Sequence, residues 1–462
     1  MTTAHVEEAL RPPVDGAAIK RSKFIKKLTF LISGGMFIDG FILGCIGIVM
    51  PAITHDLGLS LTWQGLIGAS ALIGILIGSP LGGYLADRIG RKPMFAVDLA
   101  IFLVGSFLQF FVTDAWQLFA VRLFMGIAIG ADYSIGWPLL AEFAPARMRG
   151  KLLCIQEVGW YAGYLISYTL GWLLTISETA NWNVILGLST IPTFIVFIMR
   201  LGSPESPRWL MSKGRKKEAL TIAEEFMEKE EQDDLHKQEF SGKHGFRELF
   251  IPQNIRVTIF VSVFWVCNVT PYFAIGTFVP VVLEQLGMKD GLTGGLVLNF
   301  VAFLGTIVAA FLIERVGRRK LAIPPFYIST VAVLVLALFA SASVTLIVVC
   351  VLVFSLTNAI STTLTGVYPG EIFPTEICGV GVGFSAAMSR VGAAIGTFFM
   401  PMAVVYIGIS WTMIIAAGIC LIGGVVSQLL APETTGKQLS ETVGSSSAAP
   451  IIEAKTIEYS GT

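Results

Sequence analysis

"GGYLADRIGRKPMF", Gly82 to Phe95, closes a long apolar run and sets four charges into the six positions from Asp87 to Lys92. A near copy, "FLIERVGRRKLAIPPF", runs from Phe311 to Phe326. Each copy reads acid, two residues, glycine, base: Asp87, Gly90 and Arg91 in the first, Glu314, Gly317 and Arg318 in the second. A glycine between two apolar runs lets the backbone turn tightly where other residues are strained. The two glycines lie 227 residues apart, so the chain reads as one charged turn written twice.

Two further pairs keep nearly the same offset. "AEFAPARMRG" (141–150) matches "GEIFPTEICG" (370–379), which aligns Glu142 with Glu371. "SPESPRWL" (203–210) matches "APETTGK" (431–437) more loosely. Resemblance among apolar helices arises by chance, but charged motifs at matching offsets do not. Two halves in parallel, with a site between them, are a recurrent plan for moving solutes through membranes.

Composition agrees. Of 462 residues, 54% are hydrophobic and 14% charged, and the mean hydropathy is +0.74. Soluble chains carry about 25% charged residues. Net charge is zero, which gives no sign of nucleic-acid binding. The six cysteines stand singly, without a CxxC or Cys/His cluster, so neither a disulfide framework nor a metal site is expected. No cofactor is expected either.

A bilayer-crossing helix needs about 20 mostly apolar residues. Twelve segments qualify, near 28–50, 62–86, 94–112, 116–138, 152–176 and 182–201, then 257–281, 293–313, 321–341, 344–366, 378–403 and 409–431. They predict an all-α membrane protein of twelve transmembrane helices in two pseudo-twofold-related six-helix bundles, 28–201 and 257–431. A tail (1–27), a linker (202–256) and a second tail (432–462) complete the chain. The linker run "SKGRKKEALTIAEEFMEKEEQDD" suits a surface helix. Lys and Arg gather in the tails, the linker and the loops after spans two, four and eight, whereas the other loops hold only Lys289. Basic residues concentrate on the cytoplasmic side. Both termini are therefore expected in the cytoplasm, and the compact loops point to a bacterial inner membrane.

These motifs resemble the major facilitator superfamily. Its loop signature G-x-x-x-D-x-x-G-R-K stands here as Gly83, Asp87, Gly90, Arg91 and Lys92, and the second copy has Ala310 for the leading glycine. Its span-four pattern R-x-x-x-G-x-x-x-G stands as Arg122, Gly126 and Gly130. "PESPRWL" and "PETTGK" resemble the sugar-porter branch. The resemblance implies that Asp87 pairs with basic residues near Arg147 and Arg149 and approaches the start of span eleven. Glu142, Glu314, Arg318 and Glu371 would join similar clusters, forming a cytoplasmic gate. It also links Arg122 to proton coupling.

Charges inside spans are costly, about 2.5–3.5 kcal/mol at the centre on insertion scales, and mark function. Asp39 in "GGMFIDGFILG" and Asp132 in "GADYSIG" are candidates for a reversible proton. Arg390 in "AMSRVGAAIG" suits a carboxylate or phosphate, which a guanidinium grips with two bonds. Organic-acid symporters are similar to this chain in the "DG" of span one and an arginine in span eleven, and phosphate symporters in "GADYSIG". Span seven, "FWVCNVTPYFAIGTFVP", lacks the Q-Q-x-S-G pattern of hexose porters. Further cavity candidates are Glu157, Trp160, Asn268, Tyr272, Asn299 and Asn358. The expected function is proton-coupled uptake of a small organic anion by a monomer using alternating access. A sugar or polyol porter is the alternative, and a non-transporting receptor is the alternative of another class. No nucleophile–base or metal-ligand cluster supports an enzyme.

Overall fold

The computed structural model describes residues 16–200, 204–237, 245–285, 290–339, 344–374 and 377–437. Arg11, Lys289, residues 375–376 of the second charged motif, the middle of the linker and the tail beyond 437 lie outside them. The first bundle holds α1 (Gly16–Leu57), α2 (Leu61–Ile89), α3 (Arg91–Leu108), α4 (Ala115–Phe143), α5 (Arg149–Ile176), α6 (Trp182–Gly187) and α7 (Thr190–Arg200). The linker forms α8 (Pro207–Ser212), α9 (Lys216–Phe226) and α10 (Lys229–Lys237). The second bundle holds α11 (Ile255–Thr277), α12 (Val279–Gln285), α13 (Gly291–Val316), α14 (Arg318–Phe339), α15 (Val344–Thr362), α16 (Leu364–Ile372), α17 (Cys378–Tyr406) and α18 (Ile409–Leu430).

Spans six, seven and ten are each broken into two helices, as α6–α7, α11–α12 and α15–α16. Among the described residues, eleven stretches are long and apolar enough to cross a membrane. α5 is not among them, although its 28 residues reach about 42 Å. It carries Gln156, Glu157, Tyr161, Tyr164, Ser167 and Tyr168, all buried, so its polarity faces protein and not lipid. With α5, the crossings among the described residues number twelve, and an even number brings Gly16 and Lys437 to one face, here called the terminal face.

Residues 16–27 of the first tail are helical. Helix α1 begins at Gly16, and its charged start docks on the linker. Phe24 stacks on Phe226 at 4.1 Å, and Lys20 pairs with Glu225 at 2.7 Å. Phe24, Ile25 and Leu28 turn inward among exposed lysines, which makes this stretch amphipathic, and Phe226 of α9 covers Phe24.

The two bundles meet along equivalent helix pairs, α2 with α17 and α13 with α5. On the terminal face, the Val380 N–H donates to Asp87 at 3.0 Å and the Lys151 N–H donates to Glu314 at 2.9 Å. On the opposite face, Tyr168 Oη donates to the Leu292 carbonyl and Trp172 Nε1 to Thr293 Oγ1, both at 3.3 Å. The bundles touch above and below the midplane, so this conformer is occluded.

Within a bundle, small residues let helix backbones touch. A Cβ on Gly126 would overlap the Ala71 carbonyl, and one on Gly74 the Leu123 carbonyl. The span-four glycines therefore seat α4 against α2. Gly126→Leu is expected to cost about 1–3 kcal/mol or more of stability, the range for overpacked cores. Thermal unfolding of the purified variant checks this, and an unchanged midpoint would refute the close contact.

Candidate functional site

Where the halves meet lies a small cavity of about 20 Å³, room for little more than a water in this conformer. Tyr133 and Trp137 of α4, and Glu157, Trp160 and Tyr161 of α5, form its first-bundle wall. Trp265, Val269, Tyr272 and Phe273 of α11 face them, with Thr362 and Thr365 from the broken span ten and Arg390 from α17. Of the residues expected at the site, Arg390, Glu157, Trp160 and Tyr272 line this cavity. Asn268, Asn299 and Asn358 stand one layer behind it. Asn358 Nδ2 donates to the Asn268 carbonyl at 3.1 Å, and Thr362 Oγ1 to the Asn358 carbonyl at 2.8 Å. Tyr272 Oη reaches Asn299 Oδ1 at 3.5 Å.

Arg390 is 3% exposed, and its guanidinium lies between two rings, 5.4 Å from Tyr133 and 5.1 Å from Phe273. Its Nε and Nη1 find no hydrogen-bond partner among the described residues. Glu157 is within electrostatic reach of Arg390 and stands beside Thr365. Trp160 Nε1 donates to Tyr133 Oη at 3.1 Å, which fixes the ring on which the guanidinium rests. Arg390 is thus a buried cation against two aromatic rings, with two N–H groups unpaired among the described residues.

A second charged site lies inside the first bundle. Arg200, the last residue of α7, pairs with Asp132 at 2.7 Å and approaches Asp98 of α3 at 3.8 Å. Its remaining N–H groups hold the Leu31 and Ile32 carbonyls of α1. Asp39, fully buried, has both carboxylate oxygens without a partner among the described residues. The charges of Asp132, Arg200, Asp98 and Arg390 all reach it. Three carboxyls thus share one close guanidinium. Arg122 is elsewhere: its Nη1 donates to the Ile42 carbonyl at 3.4 Å, and the groups acting on it are Cys45 and Tyr164, not a carboxylate. The structure therefore brings Asp39 and Asp132 to Arg200 and leaves Arg122 apart.

The repeated turn makes a matched pair of clusters. Arg91 bonds Glu142 at 2.5 Å and Asp87 at 3.4 Å, while Arg318 bonds Glu371 at 2.8 Å and Glu314 at 2.7 Å. Ser206 donates to Glu142, and Thr434 to Glu371. Glu205 accepts from the Arg91 and Lys92 N–H groups, and Glu433 from those of Arg318 and Arg319. Each caps the positive start of a helix. Gly90 and Gly317, at φ 117° and 90°, turn the chain so that these N–H groups point at the carboxylate. Burial would raise the Glu433 pKa, but hydrogen bonds from Thr435 and the two N–H groups outweigh it and hold the carboxyl below its usual range. Gly83 lets α2 approach the Gly379 carbonyl. The pairing expected of Asp87 with Arg147 and Arg149 does not form. Arg147 reaches out to Glu228 of α10 at 2.8 Å, and Arg149 bonds the Ala141 and Lys437 carbonyls, because Arg91, one turn away, already holds Asp87.

Residues 16–443 match the family described as "Sugar (and other) transporter". The chain belongs to this family. Among curated relatives of this transporter, the "Inner membrane metabolite transport protein YgcS" of Escherichia coli K12 is 35% identical over 91% of this chain and 94% of its own. The "Putative metabolite transport protein YaaU" of the same organism is 35% identical over 92% and 96%. Among solved structures, the major facilitator "proton:xylose symporter XylE bound to 6-bromo-6-deoxy-D-glucose" superposes with a TM-score of 0.82 at 21% identity, covering 92% of this chain and 99% of that one. The protein is thus a multi-pass membrane transporter with the major facilitator fold, and not an enzyme.

Several residues of the transporter's cavity and charge cluster were not singled out in the sequence. Tyr133, Trp137, Tyr161, Trp265, Phe273, Thr362 and Thr365 look like core residues in any apolar run. Asp98 and Arg200 sit near span ends, where a charge is ordinarily solvated. The breaks in spans seven and ten, next to polar residues, were the available signal.

Proposed function

We propose that this transporter takes up a small organic anion together with protons by alternating access. The observation that carries the reading is Arg390, buried at the cavity wall with Nε and Nη1 unpaired and no carboxylate bonded to it among the described residues. The carboxyls of Asp39, Asp98 and Asp132 around Arg200 supply the proton site, because three buried anions beside one close cation are strongly unfavourable. Asp39 lies within reach of Arg390's charge, so an anion seated there alters the field at Asp39 and links the two binding events. The basic terminal face is assigned to the cytoplasm of a bacterial inner membrane.

The test is uptake by protein in liposomes. One proton entering with a monoanion moves no net charge, whereas a unit charge crossing 100 mV changes energy by about 2.3 kcal/mol. Uptake is therefore expected to follow an imposed pH gradient and ignore a potassium-clamped voltage. Asp39→Asn is expected to abolish gradient-driven accumulation while keeping substrate exchange, and wild-type accumulation in that variant would exclude Asp39 as the proton carrier. The aromatic walls favour a second reading, a neutral sugar or polyol whose C–H faces pack on the rings. Competition by unlabelled sugars against unlabelled acids separates the two.

A further inference from the structure

Resting on the anion reading, we infer that the substrate is a hydroxylated carboxylate, its acid group held by Arg390 and its hydroxyls by Glu157 and Tyr161 of the same cavity. Arg390 offers Nε and Nη1, donors only, and both lack a partner. Tyr161 Oη, 2% exposed as a residue, makes no well-aligned hydrogen bond among the described residues; it stands beside Thr362 and close enough to Glu157 to feel its charge. Glu157 is an acceptor when ionised, and Thr365 stands beside its carboxyl with its own hydroxyl donated to the Thr362 carbonyl. The lining therefore asks one ligand for an anionic acceptor at one place and for O–H groups at another.

Three kinds of small molecule meet that demand unequally. An unsubstituted carboxylate satisfies Arg390 but offers Glu157 and Tyr161 no hydroxyl. A neutral polyol supplies hydroxyls for Glu157 and Tyr161 but leaves the guanidinium without an anion. A carboxylate bearing hydroxyls on its chain serves both ends, and its C–H faces meet Trp160 and Tyr272. Buried polar groups left unpaired penalise the wrong ligand more than an extra methylene helps the right one.

The test measures binding to the purified full-length protein with three matched sets. They are glycerate, glycerol and propionate; threonate, erythritol and butyrate; gluconate, glucose and hexanoate. In at least one set the hydroxylated acid is expected to bind about ten-fold or more tighter than both partners. Tyr161→Phe is expected to weaken that acid about five-fold and leave the unsubstituted acid unchanged, the signature of a lost hydrogen bond to ligand and not of a damaged fold. Unsubstituted acids binding as tightly in every set would overturn the hydroxyl assignment and leave the anion reading standing. Polyols or glucose binding tighter in every set would overturn both. No binding by any of the nine would overturn the assignment for chains of three to six carbons.

Discussion

Arg390→Gln is expected to lower anion uptake about 100-fold at low substrate concentration, with the folded yield and unfolding midpoint near those of the parent. Glutamine keeps a polar side chain but loses the charge and the forked pair of donors. Each charge-assisted hydrogen bond contributes about 1.5–3 kcal/mol, so two of them account for 3 kcal/mol or more, and every 1.4 kcal/mol is ten-fold. Arg390→Lys retains the cation over the Tyr133 and Phe273 rings but binds as a point charge. Its uptake is expected to fall between the two, about ten-fold below the parent. Initial rates across a substrate series, together with thermal unfolding, distinguish lost binding from lost folding. Full anion uptake by Arg390→Gln would remove the central argument for an acidic substrate.

The second large effect is expected at the terminal face. Arg318 is fully buried and bonded to Glu314 and Glu371, and Glu314 in turn holds the Lys151 N–H of the other bundle. Arg318→Ala leaves two carboxylates without that cation. Breaking a buried pair from one side costs about 3–5 kcal/mol. The repulsion falls at the seam between bundles, so the terminal face opens more often. Cys378, at the start of α17 and 4% exposed, reports on this. In a chain with the other five cysteines replaced, maleimide labelling of Cys378 is expected to rise at least ten-fold in Arg318→Ala, in step with the cost of the broken pair. Arg91→Ala is expected to do the same, because Arg91 occupies the equivalent place between Asp87 and Glu142. Labelling at the parent rate in both variants would show that the paired clusters do not keep the face closed.

The repeated turn shows how far reasoning along the chain can go. Gly90 and Gly317, their flanking charges and the common offset were all readable, because a tight turn and a helix start are local events with local chemistry. The family resemblance pointed to other partners. It implied Arg147 and Arg149 for Asp87, yet Arg91, just across the Gly90 turn at the start of α3, holds it. The short stretch from Gly16 read as a tail because it is charged, but α9 of the linker offers its lysines acids and its Phe24 a ring.

Local residue chemistry was enough to determine the apolar periods, the twelve crossings, the duplication and the rarity of charges such as Asp39, Asp132 and Arg390, since a bilayer taxes each residue individually. Only the tertiary structure decided which of those charges meet. It set Asp39, Asp98 and Asp132 around Arg200, gave Arg122 a backbone carbonyl and no carboxylate among the described residues, and left Arg390 facing an aromatic cavity with two unpaired donors. The reason is physical: insertion depends on a residue's own cost in lipid, whereas pairing depends on helix rotation and crossing, which are fixed by distant glycines and by contacts between the two halves.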